Sequence, residues 1–186
     1  MNIITNNCLG GHIYRDVLKI QYKNPFIWCF IEPFFVFIKD YSNINFRNYR
    51  LEKLNGKLER FKIVIEDKYE LKFWHYWFDK NCEILTIKDR DVYYNKIWEY
   101  IVEKYEERLS RMNPDDIRVF AYYNNDLTLE QFEVLKNLSK NNKVLVFNNK
   151  FNFENPNMKC FTIDENWVEP KCVIDTYSKQ IQEFLC

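Results

Sequence analysis

The sequence contains few glycines and no excess of charge of either sign. Three of its 186 residues are glycine, and two of them, Gly10 and Gly11, are adjacent. An average chain of this length would carry about a dozen glycines. Lysine plus arginine (27) equals aspartate plus glutamate (27). A chain with balanced charge lacks the positive surface of a dedicated nucleic-acid-binding protein, so we expect no nucleic-acid partner.

The sequence also lacks a membrane-spanning run and a secretion signal. Its most apolar stretch, residues 25–38, contains two prolines and Glu32 and is too short to cross a bilayer. No basic segment followed by an apolar one begins the chain. The six cysteines are scattered without a C-x-x-C pair, which is typical of reduced thiols. We therefore expect a cytoplasmic protein with no transmembrane segment. We also expect no metal site, because Cys8 and His12 alone make only two ligands.

Hydrophobic patterning predicts an α/β fold in one domain over residues 1–186. The predicted strands are 2–5, 26–31, 58–66, 71–78, 117–123, 143–149 and 159–163. The predicted helices are 12–19, 33–44, 93–112, 128–139 and 173–185. Thr128 and Gln131 form a capping-box pattern. The helix that they begin lies between two apolar strands, which predicts a βαβ unit. We thus expect three layers, with a mixed, partly parallel sheet flanked by helices.

The glycine pair lies in the loop after the first predicted strand, between a cysteine and a histidine. Ligands of open α/β sheets bind at the carboxyl ends of strands. The N–H groups of Gly10 and Gly11 at a helix start favour an anion or a developing oxyanion. The same field should lower the pKa of Cys8. With His12 or His75 as the base, the pattern permits covalent acyl transfer through Cys8.

Simpler interpretations of these residues stay open. Cys8 at the end of a buried strand is also a small hydrophobic side chain, and a glycine pair also suits a tight turn. Asn6 and Asn7 commonly bond to the backbone of a turn. His75 lies on an aromatic-rich strand and also suits a core position.

A basic stripe on the longest predicted helix has two interpretations as well. Lys104, Arg108 and Arg111 recur at three- and four-residue spacing. Such a stripe binds a phosphate or a carboxylate. Alternatively it is a solvated face on which Glu107 pairs with Arg111 four residues later.

Much of the chain, from about residue 3 to 150, resembles one bacterial family, the domain of unknown function 1919 family, often labelled exopolysaccharide biosynthesis protein. The segments that carry the resemblance are ITNNCLGGHIY (4–14), NPFIWCFIEP (24–33), LKFWHYW (71–77), YEERLSRMNPDDIRVF (105–120) and NNDLTLEQFEVLKNLSKNNKVLVF (124–147). The family pattern falls on Asn6, Asn7, Cys8, Gly10, Gly11, Phe73, His75, Tyr76, Arg108, Arg111 and Asn113. The chain departs from the family at Tyr105, at Met112 and in the longer, charged segment 79–95.

The resemblance implies a role in cell-surface polysaccharide biosynthesis. We expect a transferase or hydrolase that acts on a small molecule or a glycan, with Cys8 and His75 as catalytic residues. The expected substrate-binding residues are Asn6, Asn7, Gly10, Gly11, His12, Tyr76, Arg108 and Arg111. One alternative is a glycosyltransferase whose glycine loop holds the phosphates of a nucleotide sugar. Another is a non-enzymatic glycan-binding module that presents Trp74, Tyr76 and Phe78. The sequence specifies neither a cofactor nor an oligomeric state.

Overall fold

The structure is a computed structural model that describes residues 1–53, 61–73, 90–113, 115–164 and 169–186. Its strands are β1 Asn2–Thr5, β2 Phe30–Glu32, β3 Tyr49–Lys53, β4 Phe61–Ile65, β5 Tyr69–Phe73, β6 Arg118–Tyr123, β7 Lys143–Asn148, β8 Glu154–Asn155 and β9 Met158–Thr162. Its α-helices are α1 Leu9–His12, α2 Phe34–Asp40, α3 Arg90–Arg111, α4 Leu129–Leu138 and α5 Pro170–Leu185. A π-helical segment, Ile13–Leu18, follows α1 directly.

The described strands form two sheets. The larger has the order β1-β6-β7-β9-β8, with all strands parallel except β8 at one edge. The smaller is antiparallel, with the order β2-β5-β4-β3. The predicted α/β fold with a mixed, partly parallel sheet is confirmed. The predicted hairpin of strands 58–66 and 71–78 is confirmed for its described part, β4 and β5, but it lies in the smaller sheet.

Both faces of the larger sheet are buried, as parallel sheets require. Along β6, Val119 and Ala121 face one apolar cluster, whereas Phe120 and Tyr122 face another. The first cluster holds α1, the π-helical segment and α5, and the second holds the smaller sheet with α2 and part of α3. Helices and the smaller sheet therefore cover the strands from both sides.

Two predicted elements differ from the observed ones near the N-terminus. The helix predicted at 12–19 begins earlier, at Leu9, and becomes π-helical at Ile13. The strand predicted at 26–31 is limited to Phe30–Glu32. Its apolar run is buried in a loop instead, because the Asn24 side chain accepts the Phe26 N–H at 2.9 Å and so takes the place of a strand partner.

The remaining predicted helices and strands are confirmed with small shifts in their bounds. The capping box of α4 forms in full, since Thr128 accepts from the Gln131 N–H and the Gln131 side chain accepts from the Thr128 N–H. The βαβ unit of β6, α4 and β7 is parallel. Of the helices in the described ranges, none has the length and apolar character needed to cross a membrane.

Two buried polar side chains cover the free edge of β1. The Tyr14 hydroxyl accepts the Ile3 N–H at 3.1 Å and donates to the Met1 carbonyl at 2.9 Å. Asn24 Nδ2 donates to the Ile3 carbonyl at 2.9 Å and to the Tyr14 hydroxyl at 3.1 Å. These bonds take the place of a neighbouring strand at Met1 and Ile3.

We predict that Tyr14→Phe lowers the free energy of unfolding by about 1–3 kcal/mol, because it leaves buried backbone groups of β1 without a partner. Urea unfolding measures this change. In the control, Tyr177→Phe removes a phenol bond to the Thr162 carbonyl at a more exposed position, and we expect a smaller loss. Equal losses in the two variants would contradict the role of Tyr14.

Candidate functional site

The carboxyl ends of β1 and β6 lie side by side, and Asn6 joins them. Its Oδ1 accepts the Tyr123 N–H at 2.9 Å, and its Nδ2 donates to the Tyr123 carbonyl at 3.2 Å. Asn7 Nδ2 approaches the same carbonyl at 3.4 Å, and Asn7 Oδ1 accepts the Leu9 N–H at 3.0 Å. Both amides therefore bond to backbone, which supports the simpler interpretation of these two residues and fixes the shape of the sheet edge.

A cavity of about 490 Å³ opens at this edge. The carboxyl edge of a parallel sheet is the usual ligand position in α/β folds. Loops after β1 and β6, the end of β2 and the start of α2 form its walls. The residues that line it are Asn6, Asn7, Phe30, Ile31, Glu32, Phe34, Phe35, Tyr122, Tyr123, Asn124, Asn125 and Ile163.

The cavity walls combine aromatic rings with amides. The Tyr122 ring centroid lies 5.1 Å from that of Phe35 and 5.9 Å from that of Phe34. Among the amides of the lining, Asn125 has a buried Oδ1 atom that accepts no hydrogen bond from any described residue. A buried acceptor without a donor is costly, and Asn125 lines the cavity, so a donor bound there would relieve that cost once the amide turns towards it.

Glu32 is the carboxylate of this lining, and it forms an ion pair with Lys72 on the neighbouring strand β5. Its side chain stays about half exposed. It is therefore a charged acceptor within reach of a ligand, held in place by a cation. Sequence analysis did not identify Glu32, Phe34, Phe35 or Asn125 as site residues.

The N–H groups of the glycine loop are used within the protein. Gly10 N–H donates to Thr5 Oγ1 at 3.2 Å, and Gly11 N–H donates to the Cys8 carbonyl at 3.2 Å. The predicted oxyanion hole and the predicted phosphate loop both require these donors to be free. The structure thus argues against both roles for Gly10 and Gly11.

Close packing explains why the loop carries glycine at these positions. A Cβ atom at Gly11 would lie 2.2 Å from Trp28 Cε2, inside the indole ring. At Gly10 a Cβ would lie 3.1 Å from Thr5 Oγ1, which is tight but outside a severe clash. The Trp28 backbone has a left-handed φ of 59°. Gly11 therefore lets Trp28 pack against α1, and Gly10 packs against Thr5.

Cys8 immediately precedes α1 and is half-buried. Burial raises the pKa of its thiol to about 11. The prediction of a lowered pKa is therefore wrong, because burial disfavours the charged thiolate. Among the described residues no hydrogen bond joins the Cys8 sulfur to a base.

His12 is paired with an aspartate that sequence analysis missed. Its Nδ1 lies 2.9 Å from Asp16 Oδ2, and Arg15 bonds to the same carboxylate at 2.9 Å. The His12 ring also meets the Trp28 ring edge to face, with centroids 4.9 Å apart. Cys8, His12 and Asp16 recur every four residues, and that spacing is the signal from which Asp16 could have been found.

Several predicted site residues lie elsewhere or outside the described residues. His75 and Tyr76 fall within 74–89, which the structure does not describe, so their roles stay predictions. Arg111 pairs with Glu107 at 2.8 Å, as the solvated-face interpretation predicts. The Arg108 guanidinium lies 5.5 Å from the Tyr22 ring centroid. Neither arginine lines the cavity at the carboxyl edge.

A family model described as a domain of unknown function (DUF1919) matches residues 1–84. The chain resembles this family. The resemblance inferred from the sequence is confirmed over those residues, which include β1, the glycine loop and the smaller sheet. No curated protein and no solved structure matches the chain. In the described parts of the chain, no three histidine, cysteine or acidic side chains are grouped as metal ligands.

We predict that Gly11→Ala lowers the free energy of unfolding by about 1–3 kcal/mol, because its methyl group overlaps the indole of Trp28. Gly10→Ala should cost less, since only the Thr5 side chain has to shift. Urea unfolding of both variants measures the difference. Adding Trp28→Leu to Gly11→Ala should recover part of the loss, and an unchanged stability of Gly11→Ala alone would contradict the packing role.

We predict that iodoacetamide labels Cys8 at least tenfold more slowly than the exposed Cys186 at pH 7.5. A pKa of about 11 leaves roughly 100-fold less thiolate than an ordinary thiol has at that pH. Peptide mass spectrometry over a pH series measures both rates, and the Cys8 rate should keep rising towards pH 11. Fast labelling of Cys8 with a midpoint near pH 7 would contradict the raised pKa and support the hypothesis that Cys8 is an activated nucleophile.

Proposed function

We propose that this protein binds a carbohydrate in the cavity at the carboxyl edge of its parallel sheet and acts in cell-surface polysaccharide assembly. The buried Asn125 Oδ1, an acceptor that lacks a donor among the described residues, is the observation that carries the binding proposal. The cellular role is taken from the label often given to the family that the chain resembles, exopolysaccharide biosynthesis protein. The free thiols of the described cysteines suit the cytoplasm.

The chemistry of the cavity walls matches that of a sugar. A sugar ring offers hydroxyls that donate and accept hydrogen bonds, and a flat face of C–H groups. Asn125 and Glu32 supply acceptors for hydroxyl protons. Phe35 and Tyr122 supply aromatic surface for the C–H face. The volume of about 490 Å³ admits one or two sugar rings.

Binding or transfer fits this cavity better than hydrolysis. Most glycoside hydrolases place two carboxyl groups on either side of the scissile bond. Among the described residues that line the cavity, Glu32 is the single carboxylate. We therefore favour a role that holds a sugar, either for transfer of a group to or from it or for recognition alone.

Acyl transfer through Cys8 is the second candidate. The pairing of His12 with Asp16 at 2.9 Å supports it, because an aspartate orients the histidine of many catalytic triads. The raised pKa of Cys8 and the occupied glycine amides oppose it. The labelling experiment on Cys8 decides between a reactive thiol and a packed one.

We predict binding to immobilised oligosaccharides of neutral hexoses or N-acetylhexosamines. Asn125→Ala should weaken it about tenfold or more, because a hydrogen bond from the sugar to a buried acceptor is lost. Phe35→Ala should weaken it as well. A glycan array followed by calorimetry on the bound oligosaccharide measures both effects.

The matched control is Asn141→Ala, which removes the same kind of side chain at the opposite edge of the sheet. It should leave sugar affinity unchanged. The proposal fails when no oligosaccharide binds, or when Asn125→Ala and Asn141→Ala bind the sugar as the unchanged protein does.

A further inference from the structure

The last two turns of α3 carry three cations, Lys104, Arg108 and Arg111, and two carboxylates, Glu106 and Glu107. Lys104 Nζ and Arg111 Nη1 each lie 2.8 Å from the Glu107 carboxylate, so one anion serves two cations. Arg108 lies between them in sequence. No carboxylate of the described residues lies within ion-pair distance of its guanidinium, which instead lies over the Tyr22 ring, 5.5 Å from the centroid.

Arg108 and Arg111 both have guanidinium groups partly removed from water. Arg108 is half-buried, and burial lowers the pKa of its guanidinium. Arg111 is also half-buried, and its Nε is fully buried without a hydrogen-bond partner among the described residues. A buried N–H or guanidinium that lacks an acceptor costs free energy. Arg111 Nε is such a group, and Arg108, which has no carboxylate partner among the described residues, lies one helical turn away. An anion placed between the two guanidinium groups would supply both with an acceptor.

We propose that Arg108 and Arg111, with the Tyr22 ring against Arg108, form a binding site for the phosphate group of a small molecule. Guanidinium forks bind oxyanions through paired N–H donors. A phosphate group offers three oxygens and up to two charges, so it can accept from both arginines at once. A carboxylate has two oxygens and one charge, and one fork satisfies it. This site goes beyond the proposed sugar cavity, which neither arginine lines.

The half exposure of Arg108 leaves the site open to solvent. Glu107 holds Arg111 and Lys104 without filling the site, because both of its oxygens already accept from those two cations. Lys104 adds a third positive charge within one turn of Arg108. Glu103, Glu106 and Glu107 balance these three cations over residues 103–111, so the site depends on the Arg108 guanidinium, which has no described carboxylate partner, rather than on net charge.

The test compares melting temperatures in sodium phosphate and in sodium chloride of equal ionic strength. Phosphate should raise the melting temperature of the unchanged protein by roughly 3–6 °C at ten times its Kd. Arg108→Met should abolish this rise. The control Arg47→Met removes an exposed arginine that lies 3.8 Å from Glu106, and it should keep the rise.

The phosphate-free buffer separates a ligand site from an internal ion pair. If Arg108 binds a ligand and has no partner within the protein, Arg108→Met should melt at the same or a higher temperature than the unchanged protein. The substitution then removes a half-buried charge that lacks a partner. A lower melting temperature together with no response to phosphate in the unchanged protein would show an internal pair and overturn the site. An equal response to acetate would overturn the preference for phosphate.

A second variant tests the phosphate site even if Arg108→Met folds poorly. Arg108→Lys keeps the charge but loses the fork, so phosphate affinity should fall at least tenfold. Broadening of the ³¹P resonance of inorganic phosphate in a titration reports that affinity directly. Undiminished broadening with Arg108→Lys would contradict the site. Oligosaccharide binding should be unchanged in this variant, so failure here is distinguishable from failure of the sugar cavity.

Discussion

The two hydrogen bonds between the Asn6 amide and the backbone of Tyr123 are the interaction on which the site depends. They continue the pairing of β1 with β6 beyond the last strand residue. The loop after β1 is thereby held beside the loop after β6. The cavity lies between these two loops and the start of α2. On its other edge, β1 has no strand neighbour among the described residues, and Tyr14 with Asn24 takes that place.

Packing accounts for the glycines of the same loop. Trp28 lies on Gly11 so closely that any side chain there would enter its ring. The loop N–H groups bond to Thr5, Asn7 and Cys8. Cys8 is half-buried beside this loop, and burial raises the pKa of its thiol. Cys8 therefore has the surroundings of a packed residue. The cavity at the carboxyl edge of the sheet begins next to it, at Asn6 and Asn7.

Local pattern predicted the larger part of the fold. Alternation, apolar runs and the Thr128 cap identified β1, β6, β7, β9 and α4, because each depends on residues close in sequence. Pattern did not indicate that the 61–73 hairpin joins a second sheet, since that depends on β5 pairing with β2, which is distant in sequence. It also could not bring Phe35 and Asn125 into one cavity, because residues so distant in sequence meet only through the sheet topology.

The most direct test of the account is an NMR titration of the ¹⁵N-labelled protein with the oligosaccharide that it binds best. We predict that the largest amide shift changes map to the loops after β1 and β6 and to the first turn of α2, at Asn7, Asn125 and Phe35. Changes confined to the 74–78 segment, or to the glycine-loop helix with none near Asn125, would contradict a sugar site at the carboxyl edge of the sheet.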